Sequence, residues 1–306
     1  MTLPGPRVTA RAVLSFLERT DETGARVKDN RAQRIMSLSH LSSIGVSPPR
    51  FIDNAAHGGF DAVGLRVAQT PQDRGFQLPA GSALLRDTKI ALSDNGMRVL
   101  DVEVVKLHPG SSRSDWLPVL EAGAELDASY LLVTVLDDDY PRATDNFADL
   151  AELSREYGLR TCLEPMVFSS VRDMTAAAEF VMDARNSDAG LLVDALHFSR
   201  AGSQWSELDV IAPELLPYCQ LCDAPTAEPA ADHNAAITEA RTDRLAPGSG
   251  VLPLVELLQR LPATAAVSVE APSARSVTDP RGWTADLGRA ARQVLEQVVR
   301  TPSPAS

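Results

Sequence analysis

Cysteine is scarce: there are three in 306 residues, two of them in Cys219-Gln220-Leu221-Cys222. That is too few for a disulfide framework, and a lone CxxC with no second pair does not make a structural zinc site. No run of 18 apolar residues exists, so no segment reads as a membrane span. Positive charge is also short. Lys and Arg total 29 against 41 Asp and Glu, a net charge of −12 with a pI near 4.9. With no long Lys/Arg run, this balance argues against nucleic acid as a partner, because such binding depends on neutralising phosphates. It argues equally against anionic membrane surfaces. The first 34 residues lack a continuous apolar core and a small-residue cleavage site, so they do not read as a secretory signal and a cytoplasmic location is expected. A dinucleotide fingerprint is missing too: Gly45-Val46-Ser47 is not GxGxxG.

What is present is an ordinary globular composition, 44% hydrophobic and 23% charged. A chain this long buries roughly 75% of its unfolded surface and needs no covalent staples. Residues 1–35 are rich in Arg, Thr and Asp and read as a flexible N-terminal extension; residues 301–306 read as a disordered tail. Between them, short apolar runs alternate with amphipathic stretches. The strands are expected at Ser37–Leu41, Ala62–Val67, Val99–Leu107, Tyr130–Leu136, Arg160–Pro165, Gly190–Ala195, Tyr218–Cys222 and Ala266–Glu270. Helices are expected at Pro48–His57, Leu84–Asn95, Trp116–Leu126, Asp145–Tyr157, Val171–Ala184, Ser206–Ile211, Leu252–Gln259 and Trp283–Val299. Glycines follow several of these helices (Gly58, Gly96, Gly158), as helix stops do. Strand–helix alternation implies parallel pairing with right-handed crossovers. Eight units spanning residues 36–300 predict an α/β fold, a single-domain (β/α)8 TIM barrel.

In such a barrel, chemistry sits at the C-terminal ends of the strands, and four of the eight end in unusual polar groups. Strand five reads Thr161-Cys162-Leu163-Glu164-Pro165. Strand six runs Leu191-Leu192-Val193-Asp194, with His197 three residues on. Strand seven carries Gln220, followed by Cys222 and Asp223. Strand eight, Ala266-Val267-Ser268-Val269-Glu270-Ala271-Pro272, repeats the Glu-and-Pro ending of strand five. Three acids converging in a partly buried place need a cation, or their pKa values must rise. Glu164, Asp194, Gln220 and Glu270 together offer hard oxygen ligands of the kind that suits Mg2+ or Mn2+.

Each residue also has a plain structural reading. A single strand-end acid is usually a loop cap or an ion-pair partner. His40 reads equally well as a satisfied core histidine or as a pocket residue. Glu103, inside the strand-three run, must have a partner and either lines the pocket or packs inside. Asp137-Asp138-Asp139 reads as a solvated loop, His57 and His233 as surface residues, and Trp205 and Trp283 as packing.

Taken together, Leu-Glu-Pro on strand five, Val-Asp-x-x-His on strand six, Gln-x-x-Asp on strand seven and Val-Glu on strand eight resemble the xylose-isomerase-like TIM barrels, the sugar phosphate isomerase/epimerase superfamily. The resemblance spans roughly residues 37–299. It implies that Glu164, Asp194, Gln220 and Glu270 bind Mn2+, Mg2+ or Co2+, and that His197 contacts substrate oxygens. It also implies a substrate-contacting arginine, Arg241 or Arg244, before the Pro247-Gly248-Ser249-Gly250 turn, where the alternative is a surface ion pair. An arginine there can grip a carboxylate bidentately. Many members have His where this chain has Gln220. That departure resembles the 3-dehydroshikimate dehydratase branch. The superfamily's endonuclease branch needs more histidines than the five present. Members are commonly dimers or tetramers, so a homo-oligomer is compatible with the resemblance.

A divalent metal chelating a hydroxyl and the adjacent carbonyl acidifies the C–H between them by stabilising the enediolate. Glu164 and Glu270, from strands five and eight, can flank a substrate as base and acid. Return of the proton gives epimerisation or isomerisation; loss of a β-hydroxyl gives dehydration. The expected activity is therefore a metal-dependent isomerase or epimerase on a hydroxyketone sugar or sugar-like molecule. The alternative is a dehydratase (lyase) of the 3-dehydroshikimate or inosose type.

Overall fold

The computed structural model describes residues 34–69, 75–185, 188–228 and 231–300. The expected N-terminal extension lies outside them but for its last two residues, and so does the tail. Eight strands form a closed barrel in chain order: β1 (Met36–Leu38), β2 (Ala62–Arg66), β3 (Arg98–Leu107), β4 (Tyr130–Val135), β5 (Arg160–Leu163), β6 (Gly190–Asp194), β7 (Tyr218–Leu221) and β8 (Ala266–Val269). All pairs are parallel, and β8 closes on β1 with Ser37 opposite Ser268. No helix among the described residues is long and apolar enough to cross a membrane.

The barrel has two apolar layers. Alternate strand residues face outward and meet the helices; Leu38, Val63, Leu65, Leu131, Val133, Leu163, Leu191, Val193, Val267 and Val269 are buried there with Phe51, Phe147 and Phe180. The inward residues nearer the N-terminal ends of the strands make a separate small cluster, including Ala62, Leu100, Leu132, Cys162, Leu192, Tyr218 and Ala266. Tyr130 stacks on Tyr218 with ring centroids 4.9 Å apart. Burying a large apolar side chain contributes about 1.5–3 kcal/mol. Both layers therefore hold the strands in one register, and that register aims the polar strand ends at one mouth.

Local signals set the helix boundaries. Pro48 and Pro49 open the helix Pro48–His57, where their missing N–H groups cost nothing. Gly96 ends the helix Ala83–Asn95 at φ 60°, a conformation that glycine adopts without strain. The helix expected to start at Asp145 begins at Tyr140, because the Asp139 side chain caps Arg142 N–H. Among the described residues three α-helices have no counterpart in the sequence reading, Ala195–Arg200, His233–Thr242 and the single turn Arg275–Thr278. The Asp137–Asp139 run is not simply solvated: Asp137 is buried and grips Arg142 through both oxygens, at 2.7 and 2.6 Å. Trp283 packs as expected and donates its indole N–H to Ala271 O.

Candidate metal centre

Asp194 ends β6 and also caps the helix Ala195–Arg200. Its Oδ1 accepts from the backbone N–H of His197 at 2.9 Å, which fixes the first turn of the helix that carries His197. Glu164 follows β5 directly, and its Oε1 lies 3.8 Å from His197 Nε2. Ligand atoms of Glu164, Asp194 and His197 all fall within 4.8 Å of one another. Glu270 follows β8, and its Oε1 accepts from Ser39 Oγ at 2.8 Å and from Gln220 Nε2 at 3.2 Å. Glu164, Asp194, Gln220 and Glu270 are all at most 5% exposed.

Arg244 ties the two halves together. Its Nη1 donates to Asp194 Oδ2 at 2.7 Å, and its Nη2 lies 3.1 Å from Glu270 Oε2. Nη2 is also 3.5 Å from His197 Nε2, while Nε donates to Ala240 O. Arg241, the other arginine singled out in the sequence, is half-buried on the helix His233–Thr242. Asp223 sets the arginine's loop. Its backbone exchanges hydrogen bonds with Leu245, and its Oδ1 accepts from Leu252 N–H at 2.9 Å.

The charges follow from burial and these partners. Burial, with Glu270 and Asp194 nearby, pushes the Glu164 carboxyl well above the usual range. Burial also lifts Glu270, to about 7, although Arg244 opposes it. At Asp194 burial acts upward, but Arg244 and His197 outweigh it and hold the group low. Burial depresses His197 to about 4, so its imidazole is neutral and able to bind a metal or accept a hydrogen bond.

The donor set fits a divalent cation. Gln220 Oε1 is fully buried with no hydrogen-bond partner, and a buried orphan acceptor costs about 1–3 kcal/mol. Glu164, Asp194 and His197 make the close cluster, and Glu270 stands outside it, joined through Arg244 and Gln220; hard oxygens of this kind with an imidazole are what Mg2+, Mn2+ or Co2+ would take.

The remaining sequence candidates lie outside this cluster, Glu103 near enough to act on the Glu270 charge. His40 is buried and spends both ring nitrogens on the backbone: Nδ1 accepts from Arg66 N–H at 3.4 Å and Nε2 faces Val46 O at 2.9 Å. Glu103 is buried in the barrel wall, paired with Arg66 Nε at 2.9 Å. Cys219 and Cys222 are buried free thiols. Arg66 and Asp101 were not singled out from sequence. Each is a charged residue inside an apolar strand run, the signal that drew attention to Glu103.

A family model described as xylose isomerase-like TIM barrel matches residues 52–294. The chain belongs to this family. No curated protein matches it in sequence. Many solved structures share the fold, three among them as follows. A xylose isomerase-like TIM barrel/4-hydroxyphenylpyruvate dioxygenase fusion protein is 20% identical with a TM-score of 0.71; the match covers 88% of this chain but 44% of that one, so this chain spans less than half the fusion protein's length. The IolI protein with a bound zinc atom is 15% identical at TM-score 0.71, covering 89% of this chain and 100% of that one. D-psicose 3-epimerase with D-tagatose, from Clostridium cellulolyticum H10, is 13% identical at TM-score 0.64, with coverage of 89% and 100%.

Proposed function

We propose that this chain is a divalent-metal-dependent isomerase or epimerase acting on a hydroxyketone sugar or sugar-like small molecule. The observation that carries this reading is the cluster of Glu164, Asp194 and His197 ligand atoms at the barrel mouth, joined to Glu270 and its partner Gln220 through Arg244, with two of the carboxyls held above their ordinary pKa. Mn2+, Mg2+ or Co2+ held by Glu164, Asp194, Gln220 and Glu270 would polarise a carbonyl and lower the energy of the enediolate formed next to it.

The protein's own groups do the rest. Glu164 and Glu270 stand on β5 and β8, apart around the mouth, so one takes the proton from carbon and the other returns it. The neutral His197 ring and the Arg244 guanidinium orient substrate oxygens, and Arg244 steadies charge that grows on them. Burial of all these groups keeps bulk water from competing.

Gln220 supports a second reading, a dehydratase on a cyclic hydroxyketo acid. A neutral amide replaces the imidazole found in many members and lacks the second ring nitrogen that would fix it to a neighbouring carboxylate. A panel of ketoses, inososes and 3-dehydroshikimate, assayed with Mn2+ in heavy water, separates the two. Deuterium uptake without loss of water supports the isomerase, and water loss supports the dehydratase. No uptake and no turnover, with metal present in the protein, would remove the support for either.

A further inference from the structure

Beside the candidate centre, on the inner wall of the barrel, lies a second group of buried charges. Asp101 and Glu103 on β3 are both wholly buried. Glu103 Oε2 pairs with Arg66 Nε, and Asp101 Oδ2 accepts a long 3.4 Å bond from Tyr218 O–H. Their other oxygens, Asp101 Oδ1 and Glu103 Oε1, have no donor at all. Both press on the same spot. A methyl group on Gly64 would sit 2.5 Å from Asp101 Oδ1 and 2.6 Å from Glu103 Oε1, so only glycine on β2 lets the two oxygens close in there. Both orphan oxygens lie within 2.6 Å of that one point while Arg66 pairs with Glu103, so two ionised carboxylates there would repel at low dielectric. The groups around Asp101 add little relief: Glu270 is a further negative neighbour, and Arg66 and the Tyr218 hydroxyl oppose the rise without cancelling it.

Charge counting points the same way. Among the described residues of the barrel's inner wall and mouth, the buried acids Asp101, Glu103, Glu164, Asp194 and Glu270 stand with two buried cations, Arg66 and Arg244. With every acid ionised, three negative charges are in excess, one more than a divalent ion neutralises.

We propose that Asp101 and Glu103 hold a single proton between their facing oxygens. With Arg66 they then form a neutral positioning group, and Glu164, Asp194, Glu270 and Arg244 are left with the complementary charge for one divalent cation. The proton resides on Asp101 Oδ1 and is donated to Glu103 Oε1, which satisfies both orphan atoms at once. Burial and the negative neighbours Glu103 and Glu270 raise the Asp101 carboxyl far above its ordinary value, which agrees with this placement. The part concerning the cation rests on the proposed metal site; the shared proton does not.

Infrared spectroscopy on the full chain tests it. A protonated-carboxyl band should persist at pH 8 with and without Mn2+, shift when aspartate is carboxyl-labelled with carbon-13, and vanish in Asp101→Asn. Labelling needs no variant, so a misfolded mutant would not spoil the result. Asp101→Asn, a neutral mimic of the protonated acid, should bind Mn2+ within about twofold of the parent chain. No such band at pH 8, or a band indifferent to aspartate labelling, overturns the shared proton. A fall of about tenfold in Mn2+ affinity for Asp101→Asn (~1.4 kcal/mol) overturns the charge argument, because it would mean an ionised Asp101 had been lost. Absence of Mn2+ binding in the parent chain would sink the metal site and leave the infrared result to stand alone.

Discussion

The Arg244 guanidinium lies 2.7 Å from Asp194 Oδ2, with both side chains almost wholly buried. In the protein without metal it is the internal cation of the site, and it also reaches Glu270 at 3.1 Å. Removing one member of a buried pair strands the other, at about 3–5 kcal/mol. Arg244→Met should therefore lose that much stability in urea unfolding without metal. Because a divalent ion would neutralise the same carboxylates, Mn2+ should restore more stability to Arg244→Met than it adds to the parent chain. An equal gain in both would show that ion and guanidinium do not share those acids.

Metal uptake should release protons. Glu270 is lifted to about 7 and Glu164 well above the ordinary carboxylate range, so the metal-free site retains carboxyl protons that ordinary carboxylates would have lost. A ligand carboxylate must be ionised. Calorimetry of Mn2+ binding at pH 7 in buffers of different ionisation heat should report net proton release, and affinity should rise from pH 6 to pH 8. Stoichiometry should be about one ion per chain. Glu164→Gln and Asp194→Asn should each weaken binding by about tenfold or more, the scale of one lost charge in a buried site. Binding that neither releases protons nor responds to these changes would place the ion elsewhere.

The same groups set the pH dependence of folding. A carboxyl whose folded pKa is raised binds more protons in the native than in the unfolded state, so stability falls as pH rises. For Glu270 the contribution is present below about 4.5 and lost as pH climbs through about 7. Glu164 and Asp101 act in the same direction. The metal-free protein should thus lose on the order of 2 kcal/mol between pH 5 and pH 8, and saturating Mn2+ should flatten that slope. Chemical denaturation across this range checks it; a metal-free protein that gains stability toward pH 8 would contradict the assigned shifts.

Much of this architecture is legible in the chain, because the determinants are local. Each strand is a short apolar run, and Glu164, Asp194 and Glu270 stand out as acids at its end. The parts that escape reading are those where one residue does two jobs or a signal is weak. Asp194 looks like a strand terminus, yet its side chain also starts the helix that carries His197. The helix His233–Thr242 has only Ala236 and Ala240 buried, so its apolar periodicity is faint; the capping Asp232 was its one clear marker. The Arg66–Glu103 pair and the Asp101 contact depend on the register of β2 against β3, including a shift after Val63, which no single segment reveals. Choosing Arg244 over Arg241 likewise depended on which way the chain leaves the helix.

Asp223 should act on the site without touching it. Its Oδ1 accepts from Ala224 N–H and Leu252 N–H, each at 2.9 Å, and its backbone is bridged to Leu245, the neighbour of Arg244. Near Gly250, a Cβ would collide with Ala224 O, so the loop is drawn tight against Asp223. Asp223→Ala leaves two N–H groups without acceptors and should cost about 1–3 kcal/mol. The looser loop should displace Arg244, weakening the hold on Asp194 and Glu270. Asp223→Asn keeps an oxygen at the Oδ1 position and should restore most of both losses. The informative readout is the Mn2+-dependent gain in melting temperature. That gain should rise in Asp223→Ala, because ion and guanidinium then compete less for the same carboxylates, and return to the parent value in Asp223→Asn. If Asp223→Ala lowers stability while the Mn2+ gain stays unchanged, Asp223 supports the loop alone and Arg244 is placed by its own bonds to Ala240 and Asp194.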